Sequence, residues 1–167
     1  MAILGNTGQD INTTLKDALK IMHLLDEEEK AKLLEELTTL ETLKTKENAQ
    51  LHFMDFVNKV WPTFIGGRHH KDMAAAFERV ARGEIKRLII NMPPRHTKSE
   101  FASIYFPAWI IGKYPKMKLM QVSHNAELSG RFGSKVRNLI DSPQYKQIFG
   151  DVRLREDSKA KGRWETN

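Results

Sequence analysis

The sequence predicts an α/β chain in which helices cover a parallel sheet, preceded by a helical hairpin. Three observations carry that expectation. Two short, continuous apolar runs, "KRLIINM" and "MKLMQVS", have the character of strands buried on both faces. Each is followed by a stretch with helical patterning, "SEFASIYFPAWIIGKYP" and "AELSGRFGSKVRNLIDS". The resulting order of strand, helix, strand, helix is that of a parallel sheet. The length of 167 residues suits one domain with a small appendage. An apolar content of 40% with 29% charged residues is that of a globular chain.

Taken in order, residues 1–12 carry Gly5, Asn6 and Gly8 and predict a flexible start. From Thr14, Leu15, Ala18, Leu19, Met22 and Leu25 recur at helical spacing. Asp26 then opens "DEEEKAKLLEELTTLETLK", with Glu29 three residues on. This spacing predicts a capping box, and acids in the first turn suit the helix dipole. Leu33, Leu37 and Leu40, with Leu43 or Lys44, form a narrow apolar stripe on that second helix. Helix continues through "NAQLHFMDFVNKV" until Trp61-Pro62, because the residue before proline avoids helical geometry. A turn at Gly66-Gly67 precedes "HHKDMAAAFERVARG", with Met73, Ala76, Phe77 and Val80 on one face and Gly83 as C-terminal cap. The first strand follows, then a helix interrupted or ended near Pro107. The second strand leads into a helix that stops before Pro143.

Composition narrows the function. No apolar run approaches the ~20 residues needed to span a bilayer, and the N-terminus lacks the basic-then-apolar order of a secretory signal. With no cysteine there is no disulfide, thiolate-zinc site or cysteine nucleophile. The six histidines show no metal-ligand pattern with nearby carboxylates. The net charge of +6 is uneven. The first sixty residues hold 7 Lys/Arg against 11 Asp/Glu, and the remainder holds 20 against 10. A basic C-terminal two-thirds suits a polyphosphate partner, although a solubilising surface has the same composition.

The chemistry concentrates in "MPPRHTKS", residues 92–99, between the first strand and its helix. A phosphate-binding loop aims backbone N–H groups at phosphates, reaches the terminal ones with a Lys and holds magnesium through Ser or Thr. The helix that follows adds its N-terminal dipole. Lys98 and Ser99 stand where those roles require. Pro93 and Pro94 have no N–H to offer, so the donors are the amides of Arg95, His96, Thr97, Lys98 and Ser99. The usual glycines are absent: Met92 and Thr97 occupy their positions, and a β-branched Thr resists positive φ. Local physics leaves two readings, a nucleotide site and an ordinary strand-turn-helix.

The wider pattern, "WPTFIGGRHHKDMAAAFERVARGEIKRLIINMPPRHTKSEFASIYFPAWIIGKYPKMKLMQVSHNAELSGRFGSKVRNLI" with "QIFGD" beyond it, resembles the ATPase region of the large terminase subunit of tailed bacteriophages. The loop resembles that family's Pro-Pro-Arg-x-Gly-Lys-Ser, with Arg95, Lys98 and Ser99 matching and Thr97 departing at the glycine. The resemblance covers about residues 50–167. It implies a P-loop NTPase-like fold, with an N-terminal helical segment at 1–47 and the N-terminal part of the ATPase domain at 48–167. It also implies a motor that couples ATP hydrolysis to translocation of double-stranded DNA into a procapsid. The expected cofactors are ATP and Mg2+. The expected partners are DNA, further copies in a homo-oligomeric ring, the small terminase subunit and the portal, with no membrane. The place of action would be the host cytoplasm, transiently at the procapsid portal.

By this resemblance Lys98 stabilises charge on the transferring phosphoryl group, Ser99 binds magnesium and Arg95 is an additional loop cation. His70 stands where relatives place an adenine-reading Gln; its two ring nitrogens suit that role, and an exposed basic turn is the alternative. Trp61 and Phe64 would line a base pocket or belong to the core. Arg131 and Lys135, four apart on one helix face, would hold DNA phosphates or form a solvated face. Ser123, His124 and Asn125 close the second strand, as site residues or as a helix cap.

Hydrolysis further needs an apolar strand ending in Asp-Glu. Glu156-Asp157 in "DVRLREDSK" lacks the preceding buried strand, and no room remains for the C-terminal nuclease that the resemblance also implies. The core is therefore expected to be incomplete, the chain being part of a longer or split protein and not competent for turnover alone. The alternative function is a non-catalytic basic module, derived from a terminase, that contacts DNA or other subunits.

Overall fold

The computed structural model describes residues 20, 25–159 and 164–167. The chain forms two compact units, residues 1–45 and 46–167. The first three-quarters of helix α1 (Glu27–Leu51) lies in the first unit and begins at the expected cap. Glu29 N–H donates to Asp26 Oδ1 at 2.8 Å, and Asp26 N–H donates back to Glu29 Oε2 at 3.3 Å. Of its apolar stripe, Leu37 is buried and Leu33 half-buried, whereas Leu40 and Leu43 are exposed. The preceding helix and the flexible start expected at residues 1–25 lie almost wholly outside the described residues.

The second unit is built from helices. They are α2 (Phe53–Val60), α3 (Arg68–Ala81), the composite α4 (residues 98–113), α5 (Ala126–Asp141) and α6 (Pro143–Ile148). A short antiparallel hairpin, β1 (Leu154–Lys159) and β2 (Trp164–Thr166), pairs Leu154 with Thr166 and Lys159 with Trp164.

The parallel sheet is not formed. Residues 86–92 and 117–123, expected as its strands, have no regular secondary structure, and the hairpin is the only sheet among the described residues. A buried parallel strand needs a neighbour for its N–H and C=O groups and cover on both faces. Neither segment has a ladder partner, and Ile89, Met120 and Val122 are 85%, 87% and 82% exposed. Only Ile90 and Met92 of the first run touch the core. The polar, basic tail supplies the strands instead, anchored where Leu154 and Trp164 reach the core.

The core is aromatic. Phe53 lies fully buried, with the rings of Phe77, Phe101, Phe106 and Trp109 at 5.3, 5.5, 6.0 and 5.7 Å, all edge-on. These contacts bind α2, α3 and α4 together. Glu78 of α3 accepts from the Phe53 amide at 2.9 Å, satisfying an orphan donor at the start of α2. Two buried aromatic tips are also satisfied: Trp109 Nε1–H donates to Ala49 O at 3.1 Å and Tyr145 O–H to Ala108 O at 2.9 Å.

Helix α4 shows how the chain accommodates Pro107. It runs as Lys98–Glu100, a π-turn Phe101–Tyr105, then Phe106–Lys113. Proline cannot donate to the carbonyl four residues back, which is that of Ser103. The wider π-turn makes room, and Gln121 Nε2 donates to the freed Ser103 O at 2.6 Å. Among the described residues no helix is long and apolar enough to cross a membrane.

The absence of a buried strand has a direct consequence. Ile89→Lys and Val122→Lys should each change the unfolding free energy by no more than ~0.5 kcal/mol in urea denaturation, as surface substitutions do. A loss of ~3 kcal/mol or more would mean that these segments are buried strands after all.

Candidate functional site

The loop between Asn91 and α4 begins with the rigid pair Pro93-Pro94 and turns sharply. Arg95 and Thr97 have φ of +65° and +53°, the two positive values among described non-glycine residues. Such a conformation costs roughly 1–2 kcal/mol at each L-residue and persists only where surroundings enforce it. At Thr97, φ and ψ of +53° and +13° are the left-handed geometry that glycine would adopt freely. The β-branched side chain does not prevent it.

The enforcing contacts are specific. His70, buried in the first turn of α3, is wedged between Phe64 at 4.8 Å and Phe101 at 5.1 Å. The Gly67 amide donates to His70 Nδ1 at 2.8 Å, so that nitrogen is the acceptor and the ring proton sits on Nε2. Nε2–H then faces Thr97 Oγ1 at 2.5 Å, and Thr97 Oγ1 donates its own proton to His96 O at 2.8 Å. The two ends agree on one tautomer. Burial, and the nearby His69 and His96 imidazoles, push the His70 pKa below its usual value.

The amides of Arg95, His96, Thr97, Lys98 and Ser99 donate to no protein acceptor among the described residues. The Ser99 side chain is exposed, likewise without a hydrogen-bond partner there. Lys98 is half-buried, its Nζ 3.4 Å from Met92 O. His96 is exposed and donates from Nδ1 to Pro94 O at 2.9 Å.

Beside the loop lies a cavity of about 630 Å³ lined by Trp61, Arg95, Thr97, Glu100, Tyr105 and Lys135 with neighbours from α4 and α5. Trp61 stacks on Tyr105 at 5.6 Å and 14° between planes, which gives the cavity a flat aromatic wall. Trp61 packs against the core, as one of its two sequence readings has it, and its exposed part lines the cavity. Phe64 belongs to the packing around His70 and Phe101. Lys135 faces the same cavity as Arg95; Arg131, one turn earlier, is exposed and does not line it. Asn125 caps α5, its Oδ1 accepting from Leu128 N–H at 2.8 Å, and Ser123 donates to Asn125 O at 2.6 Å.

Sequence reasoning missed Tyr105, Glu100 and the His70–Thr97 bond. Glu100 follows Ser99 directly, so the start of α4 held the signal. Tyr105 and the His70–Thr97 bond could not be placed, because each acts across elements distant in sequence. Among the described residues, no group of three or more His, Asp or Glu is disposed to hold a metal ion. No protein-family model, curated protein or solved structure matches the chain.

The depressed His70 pKa fixes the sign of a pH effect. In the unfolded chain an ordinary His protonates near pH ~6.5, whereas folded His70 stays neutral to lower pH. Its contribution is therefore complete above that value and is lost as pH falls from ~6.5 toward the folded pKa. Urea unfolding should show lower stability at pH 5 than at pH 7.5, with a smaller drop in His70→Gln. An equal drop in both proteins would dissociate the effect from His70.

Proposed function

We propose that this chain is the ATP-binding part of a phage terminase large subunit, the motor that drives viral DNA into the procapsid. The single observation that carries the reading is the loop from Arg95 to Ser99. Five consecutive amides lack protein acceptors, and the turn is left-handed at the position where the resembling family keeps glycine. The beginning of a 16-residue helical run follows directly, so its dipole adds to the loop's attraction for anions.

Lys98 and Arg95 are the cations of the loop, and Lys135 adds a third beside the cavity. The cavity is open to solvent and has room for a small molecule. Its Trp61–Tyr105 wall suits a base, and its cationic rim suits phosphates. Ser99 Oγ would take one position on a magnesium ion otherwise held by phosphate oxygens and water, in keeping with that ion's preference for oxygen ligands. Magnesium there would neutralise phosphate charge; Lys98 would hold the terminal phosphoryl group in place.

This reading no longer rests on a parallel sheet. It places binding in the loop and its aromatic wall, and assigns hydrolysis, DNA translocation, the oligomeric ring and the contacts with small subunit and portal to a larger assembly in the host cytoplasm. The described residues bring no Asp-Glu pair at a strand end to the loop, so this chain alone binds ATP without turning it over.

Titration of residues 1–167 with a fluorescent ATP analogue and Mg2+ tests the proposal. Lys98→Ala should weaken binding about tenfold to a hundredfold, the effect of removing a charged hydrogen-bond partner, and Ser99→Ala should remove its magnesium dependence. Phosphate release should not exceed that of Lys98→Ala. Binding insensitive to both substitutions, beside salt-dependent DNA affinity, would instead identify a basic DNA- or subunit-binding module.

A further inference from the structure

Thr97 presents a physical problem that its own side chain does not solve. A β-branched residue in the left-handed region is rare, and nothing within residues 95–99 would hold it there except the bond from Thr97 Oγ1 to the adjacent His96 carbonyl. From outside the loop, the Phe101 amide donates to Thr97 O at 3.0 Å, and the side chain meets a buried imidazole on α3, twenty-seven positions earlier. We infer that His70 is a positioning residue, whose Nε2–H bond to Thr97 Oγ1 holds the phosphate loop in the conformation that glycine would adopt unaided.

The geometry supports this at each step. His70 is buried, so its ring has little freedom, and Phe64 and Phe101 hold it from two sides. Gly67 N–H occupies Nδ1, which leaves Nε2 as the donor. Thr97 Oγ1 accepts that proton and directs its own to His96 O, so the hydroxyl is fixed as acceptor on one side and donor on the other. A side-chain hydroxyl is what glycine lacks and what makes the latch possible. Both ring nitrogens being engaged by the protein, His70 has none left for a base. Phe101, in contact with both His70 and Phe53, ties the latch to the core.

The binding arm of the test rests on the proposed ATP site; the structural arms do not. Four proteins form a cycle: the parent chain, His70→Ala, Thr97→Gly and the double variant. In urea denaturation, His70→Ala should destabilise the parent chain but have little effect in the Thr97→Gly background, because glycine needs no latch. With Mg2+ and the fluorescent ATP analogue, His70→Ala should weaken binding about five- to tenfold in the parent, and less than twofold beside Thr97→Gly. His70→Gln can donate from Nε2 to Thr97 while its Oε1 accepts from Gly67, and should restore most of the loss. It also serves where His70→Ala fails to fold. Nitrogen-15 NMR of the parent chain should show the His70 ring proton on Nε2.

Equal effects of His70→Ala in the two backgrounds, or a ring proton on Nδ1, would overturn the latch. If the analogue binds none of the proteins while the stability cycle is non-additive, the latch stands and the nucleotide reading falls.

Discussion

The second unit depends on the aromatic cluster around Phe53. That ring meets side chains of α3 and both halves of α4 edge-on, within 5.3 to 6.0 Å. Close packing of this kind leaves few alternative arrangements, so it sets how the helices cross. Phe101 is the link outward. It sits at the first turn of α4, touches Phe53 on one side and His70 on the other, and so fixes where the loop before it enters the helix.

The loop is thus shaped from behind. Prolines at 93 and 94 remove two donors and stiffen the approach. Arg95 and Thr97 then take left-handed conformations that their side chains disfavour. Glycine achieves such a turn through freedom, at an entropic cost on folding. A Thr held by a buried imidazole achieves it through constraint, and a constrained loop loses less entropy when it closes on an anion.

Charge and aromatic surface meet at the same place. Arg95 and Lys135 come from different elements yet line one cavity with the Trp61–Tyr105 stack. Burial, and to a lesser degree Glu100, the acid within that rim, push the Tyr105 hydroxyl pKa upward. The arrangement combines a flat apolar wall with cations, which is what a nucleotide's base and phosphates separately require.

The local features were legible in the residues. The Asp26–Glu29 capping box, the stop at Trp61-Pro62, the left-handed Gly83 and the Asn125 cap follow from short-range hydrogen bonding and sterics, and all are present. So was the position of the Lys98-Ser99 loop at a helix start. The sheet was misread because a continuous apolar run such as "KRLIINM" reports a capacity for burial, not the existence of a neighbour to pair with. The residues alone also left open whether Thr97 could turn left-handed, where Trp61 would lie and what Lys135 would face. Tertiary structure decided those points, because each depends on groups brought together from distant positions: His70 with Thr97, Tyr105 with Trp61, Arg95 with Lys135. Local sequence can state what a backbone prefers; only packing determines which preference is overruled.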